Sequence, residues 1–375
     1  MGYPQDIKPL TGLRFIAAMW LLVYFFWSRL GVPPEATPGV VQHGYLGVDL
    51  FFILSGFVLA HVYGPQVEAG RFHYGAFVWA RLARVYPLHL LTLAAMVAIW
   101  GAGTLIGASF EPKAFNVEHL IHHLLMIQAW GFVDADGWNF PSWSISAEWF
   151  AYLMFPVLFG AVALLRRAPV VALLLSAALA VGLSIFVARY GMELHKMTWQ
   201  GGALRIVPSF LAGCALWQIG RNMKPMAAPL AWAGIAASVA WIVVTAEASL
   251  PPLAVWPGLV GLVFFMAASA TSTTGALCAT PLWVWLGEIS FAVYMVHLPV
   301  DIAFFQIVER VMGVPTGPLA FVLVGVAMAL TVAVAAACHA WFEKPVRDFM
   351  RQHAPAWFRA TPAPVTAARS GAPAR

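Results

Sequence analysis

Charge is what this chain has least of. Only 10% of its 375 residues are Asp, Glu, Lys or Arg, and 61% are hydrophobic, whereas an ordinary soluble domain is roughly 25% charged. That balance excludes a water-soluble enzyme with a polar surface. Cysteine is also scarce: Cys214, Cys278 and Cys338 stand far apart, which excludes a disulfide framework and a cysteine-based metal site. Basic residues outnumber acidic ones, 21 to 16, and the isoelectric point is near 9.2. The excess forms no patch, however, so a nucleic-acid partner is excluded as well.

What the chain has in quantity is apolar sequence. Blocks of about 18 to 25 residues recur, each long enough to cross a bilayer as a helix. Open sheets are excluded there, because their edge groups would go unpaired in hydrocarbon. The expected fold is all-α, a polytopic integral membrane protein with about ten transmembrane helices. They are placed at about 12–31, 46–64, 85–107, 142–164, 169–189, 203–220, 227–246, 253–271, 282–306 and 317–341. Lys and Arg alternate in density between the connecting segments. One side collects Lys8, Arg71, Arg81, Arg84, Arg166, Arg167, Arg221, Lys224, Lys344, Arg347, Arg351 and Arg359. The other holds mainly Arg29, Lys113, Arg189, Lys196 and Arg310. The positive-inside rule then gives an N-in, C-in orientation. The first block follows Lys8 and Arg14 as a signal peptide would, but no small-residue cleavage site follows, so it is expected to remain as a helix. A single membrane domain is expected over 1–346, followed over 347–375 by a basic, then Ala/Pro-rich, disordered cytoplasmic tail.

The longest outer loop, about 108–141, carries Glu111, Glu118, Asp134 and Asp136. Its His119, His122 and His123 have i, i+3, i+4 spacing. That spacing presents imidazoles on one helical face, but a metal needs a further donor. A solvated interfacial helix with no metal is the expectation.

Ionisable groups inside spans are expensive and mark candidate sites. Arg14 stands in Leu10-Thr-Gly-Leu-Arg14, at the inner end of the first span. Phe25 follows eleven residues later, on the same face and about 16 Å along the axis. A snorkelling interface anchor is the alternative for Arg14. Asp49, in Gly47-Val-Asp49-Leu-Phe-Phe-Ile-Leu-Ser55-Gly56-Phe57, needs a partner; it is suited to orient an imidazole or bond an acceptor hydroxyl. Ser55 and Gly56 suit close helix packing. Arg81-Leu-Ala-Arg84-Val-Tyr86-Pro87 sets two guanidinium forks on one face, which suits phosphate oxygens, although positive-inside charge explains it too. In Trp143-Ser144-Ile-Ser146-Ala-Glu148, the carboxylate is a candidate base, orienter or partner of Arg205. An Arg205–Asp49 pair acting as helix glue is equally open. Ser290, Tyr294 and His297 form an i, i+4, i+7 polar stripe. His297 reads as a hydrogen-bonded structural group or a catalytic one, with Asp301 placed to hold its ring. His43 is the imidazole nearest to Gly47 in sequence.

Together these segments, with Glu343-Lys-Pro345, resemble the membrane-bound acyltransferase-3 family, which carries O-acetyl and other short acyl groups to sugars. The resemblance runs from residue 10 to about 347. It implies an acyl-CoA donor, acetyl-CoA by default, held by Arg14, Arg81, Arg84 and Tyr86. It implies a hydroxyl acceptor on an extracytoplasmic polysaccharide or lipid-linked oligosaccharide, in a bacterial cytoplasmic (inner) membrane. Catalysis falls to Arg14, Asp49, Glu148 and position 25, supported by His43, Trp143, Ser146, Arg205, Ser290, Tyr294 and His297.

Phe25 is the departure. The family has a histidine eleven residues after the arginine, where it takes the acceptor's proton or carries the acyl group; phenylalanine can do neither. The chain is therefore expected to bind donor and to transfer slowly or not at all. Three explanations stand side by side: a change introduced to stop turnover, a base relocated to His43, Asp49, Glu148 or His297, or a non-catalytic relative. A transporter or flippase of lipid-linked sugars or small acids fits ten spans equally well, but no inverted repeat is visible.

Overall fold

A computed structural model describes residues 3–105, 115–270 and 278–359, and among them there is no strand. Among the described residues nine helices are long and apolar enough to cross a membrane, or ten when one bent pair is counted as a single span. In chain order these are α1 (Lys8–Trp27), α2 (Gly47–Glu68), α3 (Tyr74–Leu105), a short α4 (Val117–Leu124), α5 (Trp143–Leu153) and α6 (Phe155–Leu164). There follow α7 (Pro169–Ala188), α8 (Gly202–Gly220), α9 (Ala228–Glu247), α10 (Pro252–Ser269), α11 (Pro281–Met312), α12 (Gly317–Cys338) and α13 (Lys344–Gln352).

The fourth expected span is the bent pair, turning by 61° between α5 and α6. Pro156 has no amide to continue the ladder, so the helix breaks just before it. Two spans run longer than their apolar stretch. α3 and α11 each have 32 residues, about 48 Å at 1.5 Å per residue, against about 30 Å of hydrocarbon. The extra turns at the start of α3 carry Arg81 and Arg84.

Small residues set the central crossings. The Cα of Gly56 on α2 faces the Phe210 backbone of α8, and Gly213 on α8 faces the Ile53 carbonyl of α2. A side chain at either position would collide with backbone, which fixes the α2–α8 contact. α1 lies between α2 and α11, and α5 packs on α8. The two motif-rich helices, α1 and α2, are thus held at the centre.

The tail departs from expectation. After α12 the chain makes one π turn, His339–Glu343, and continues as α13, so the boundary expected at 346 falls inside a helix. Trp79 of α3 donates to the Met350 carbonyl at 2.7 Å, and this bond holds the basic stretch against α3. Residues 360–375 of the expected tail, with Glu111 and Lys113 of the loop, lie outside the described residues.

Candidate active site

Two cavities meet inside the bundle. The first, about 320 Å³, opens at the end where α1 begins and is lined by Arg14, Arg81, Arg84, Arg347 and Arg351 together with Glu148. Its charges are unevenly matched. Arg84 bonds Glu343, which also accepts from His339 at 3.0 Å and lies 3.6 Å from Arg347. Arg14, Arg81 and Arg351 make no salt bridge among the described residues. Arg14 is repelled by Arg81 and Arg84 and drawn toward Glu148. Arg81 lies over the Tyr63 ring at 5.5 Å, and its Nε is buried without a hydrogen-bond partner. Glu148 accepts from the Ser55 hydroxyl. The wall therefore presents fixed guanidinium donors with too few carboxylates, an arrangement that suits an anion.

The second cavity, about 200 Å³, lies toward the other end of α1 and is lined by Tyr24, Phe25, Tyr45, Trp143, Lys196 and Arg205, among others. Val48 and Tyr294 line both cavities and form the partition between them. The Tyr294 phenol donates to the Pro141 carbonyl at 2.7 Å and accepts from Ser144 at 2.8 Å. Arg205 and Asp49, 2% and 0% exposed, pair at 2.6 Å, and the Asp49 carboxylate lies 3.2 Å from His195 Nδ1. Arg205 also donates to the Met197 and Tyr45 carbonyls and stacks over Trp143 at 4.8 Å. This charge is compensated, unlike that of the first cavity.

Phe25 forms part of the second wall, its ring 4.7 Å from that of His297. His297 Nδ1 lies 2.5 Å from the Tyr294 carbonyl, so it carries the proton, and Nε2 is left as the lone-pair nitrogen. That Nε2 is buried without a partner. His297 lines neither cavity, because Phe25 covers it.

The acyltransferase domain family matches residues 8–338, nearly the whole membrane bundle. The chain belongs to the acyltransferase-3 family. It is 32% identical over 174 residues to the acyltransferase MdmB of Streptomyces mycarofaciens, covering 44% of this chain and 41% of that one. It is 42% identical over 95 residues to protein 2 in the picA locus of Rhizobium radiobacter, covering 25% of this chain and 46% of that one. A candidate O-acetyltransferase of Staphylococcus aureus is 25% identical over 163 residues, covering 40% of this chain and 24% of its own length. The alignments thus span less than half of each relative. No solved structure matches.

Within this acyltransferase-3 chain, several residues expected at the site go elsewhere. Tyr86 donates to the Leu124 carbonyl and is absent from the arginine cavity. His43 has its ring nitrogens 2.9 and 3.3 Å from the Gly39 and Leu250 carbonyls, one of which takes the ring's N–H, and it lines neither cavity. Ser146 accepts from the Ala129 amide and so anchors a loop. Arg205 pairs with Asp49 and not Glu148. Asp301 does not hold His297; it takes Arg29 at 2.7 Å, since one more turn carries it past the imidazole. Ser290 lines the arginine cavity and bonds the Gly287 carbonyl.

The histidine helix α4 is packed on one face only, with Val117, Glu118, Ile121 and Leu124 exposed on the other. His119 and His123 are buried, because His89 of α3 bonds the His123 carbonyl at 2.8 Å and draws the segment inward. Burial pushes the His123 imidazole down to about 3. The three rings diverge to Asp134, the Glu118 carbonyl and Ser142. Among the described residues, no group of three His, Cys, Asp or Glu is placed to hold a metal.

Sequence reading missed His195, whose only signal was its place in the polar segment leading into α8, which carries Arg205. It also missed Arg347 and Arg351, whose i, i+4 spacing puts them on one helical face, as i, i+3 does for Arg81 and Arg84, but reads as ordinary positive-inside charge.

Proposed function

We propose that this membrane acyltransferase takes an acyl group, by default acetyl, from cytoplasmic acyl-CoA in the arginine cavity. It delivers that group to a hydroxyl of an extracytoplasmic glycan in the Phe25 cavity, in an N-in, C-in bacterial inner-membrane orientation. The observation that carries this reading is the pair of cavities meeting at Val48 and Tyr294, one rich in unmatched guanidinium groups and the other internally neutral. Phosphates supply the anionic charge that the first cavity lacks. In the transfer, the acceptor oxygen bonds the thioester carbonyl carbon, the C–S bond breaks, and the acceptor's proton leaves to a base while CoA departs as thiolate.

This chain is short of that base. Of the four candidates for a relocated one, His43 lines neither cavity and Asp49 is ion-paired. Glu148 sits in the donor cavity and accepts from Ser55, and His297 lies beneath Phe25. Slow turnover with intact donor binding follows. The S. aureus relative's name favours O-acetyl transfer over other acyl transfers.

Calorimetric titration of the purified chain with acetyl-CoA tests the reading. Binding in the micromolar range that weakens with ionic strength is expected. No heat from the intact chain, with Arg81 and Arg84 in place, overturns it and favours a transporter.

A further inference from the structure

The arginine cavity continues into a second recess of about 610 Å³ on the same end of the bundle. The two share Val62, Arg81 and Arg351. The recess is built by the segment after α12, against the first turns of α3. The π turn adds a residue per turn at His339–Glu343, which rotates α13 relative to α12 and brings Arg347 and Arg351 to the cavity wall. Beyond α13, Pro355 starts a turn that stacks Phe358 on Trp79, with ring centroids 5.3 Å apart and planes at 27°. Gly75 permits the approach, since a side chain there would stand 2.9 Å from the Trp357 carbonyl. Arg359 is tied back to the Ala354 carbonyl at 2.8 Å.

The lining of this recess has a chemical character of its own. Arg81, Arg351 and Arg359 face it together with Tyr63, Trp79 and Phe358, and among the described residues no carboxylate lines it. Arg351 and Arg359 make no salt bridge among the described residues. Guanidinium forks match phosphate oxygens, and flat aromatic rings match a purine face. At 320 Å³ the arginine cavity is at the small end for a ligand pocket, and a nucleotide-bearing thioester needs more room than that.

Resting on the acyl-CoA reading, we propose that this C-terminal recess seats the phosphorylated adenosine end of the donor. The arginine cavity is left to the diphosphate, the pantetheine arm and the thioester. Arg351 lies at the junction and serves both. An anionic lipid headgroup offers the same phosphate chemistry to Arg351 and Arg359, but it has no ring for Tyr63, Trp79 and Phe358.

The test uses the full chain in nanodiscs and compares acetyl-CoA, acetyl-dephospho-CoA (lacking the 3′-phosphate) and acetyl-pantetheine. The intact chain is expected to bind acetyl-CoA severalfold more tightly than the dephospho form. The Arg351→Ala/Arg359→Ala double variant should lose acetyl-CoA affinity at least tenfold and lose the 3′-phosphate preference, while acetyl-pantetheine, which reaches only Arg351 of the two, should lose clearly less affinity than acetyl-CoA does. Both arginines are exposed, so folding should survive; Arg359→Ala alone, expected to lose severalfold, covers the case in which it does not. Unchanged acetyl-CoA affinity in these variants, with affinity lost in Arg14→Ala, overturns this recess and spares the donor reading. No acetyl-CoA binding by the intact chain overturns both. A defect seen only in nanodiscs containing phosphatidylglycerol, and absent from phosphatidylcholine ones, assigns the arginines to lipid and also overturns the proposal.

Discussion

Asp49 and Glu148 are both carboxylates set within the bundle, and their surroundings divide the molecule into two kinds of polar interior. Around Asp49, Arg205 and His195 complete a closed set in which one anion meets one guanidinium and one imidazole. Around Glu148, five arginines line a cavity, and three of them have no ion-pair partner among the described residues. Buried charge is costly unless it is paired. The closed set therefore reads as architecture that shapes the second cavity. The open set is a place where a bound molecule must bring the missing negative charge. Substitutions at the two ends should consequently fail in opposite ways.

The largest effect is expected at neither set but at the wall beside the closed one. Phe25→His places an imidazole in the second cavity, where among the described residues no histidine lines the wall. General-base assistance contributes typically 10²–10⁴ in rate. Transfer of radiolabelled acetyl from acetyl-CoA to glycan acceptor, or acetyl-CoA hydrolysis, should rise at least about tenfold and toward that range. Donor affinity should stay within about twofold, because position 25 is absent from the arginine cavity. A faster reaction in Phe25→Ala than in Phe25→His would shift the role to His297, uncovered by the smaller side chain.

Next in size is the closed set. Asp49→Asn leaves the Arg205 guanidinium, 2% exposed, without its anion. Removing one partner of a buried pair costs about 3–5 kcal/mol. Thermal or denaturant unfolding in detergent should report a loss of that order, with acetyl-CoA affinity little changed in the fraction still folded. Equal stability in Asp49→Asn and the intact chain would mean that the pair is not architecture.

The open set should show the reverse. Arg14→Ala removes a cation with no salt bridge among the described residues, so unfolding should shift less than in Asp49→Asn. Loss of one charge-assisted contact costs about 1.5–3 kcal/mol, so acetyl-CoA affinity should fall by at least about tenfold. Titration at two ionic strengths adds a second readout, since the variant should depend less on salt than the intact chain. Parallel losses of stability and affinity at Arg14 would erase the contrast between the two ends.

The sequence made the open set easier to read than the closed one. Arg14, Arg81, Arg84 and Glu148 lie in short local patterns, and helical spacing alone puts each pattern on one face. The helix count was legible for the same reason, because apolar length is a local property. Asp49 and Arg205 are 156 residues apart in the chain, so only packing decides whether Arg205 meets Asp49 or Glu148. His195 sits in a 3₁₀ turn with no periodicity to mark it. The position of Asp301 was misread because i, i+4 spacing allows a contact with His297 but does not select it over Arg29, which comes from α1's far end. Arg347 and Arg351 were hidden by the π turn, which resets the facing of everything after Glu343.

The smallest effect belongs to the partition, where the two ends meet. Tyr294→Phe keeps the ring that separates the cavities and removes only the hydroxyl. That hydroxyl holds the Pro141 carbonyl and the Ser144 side chain, and a neutral hydrogen bond contributes about 0.5–1.5 kcal/mol net. Stability should therefore fall by about 1 kcal/mol. If the phenol only braces the start of α5, transfer in a Phe25→His background should fall by no more than about twofold, with acetyl-CoA affinity unchanged. If the hydroxyl instead bonds the reacting carbonyl as it crosses between the cavities, the rate of transfer should drop severalfold at saturating donor while affinity holds. The Phe25→His/Tyr294→Phe double variant separates these two outcomes in one assay, because stability, donor affinity and rate then move independently. A loss of donor affinity would place the ring's hydroxyl with the arginines and make the partition part of the open set.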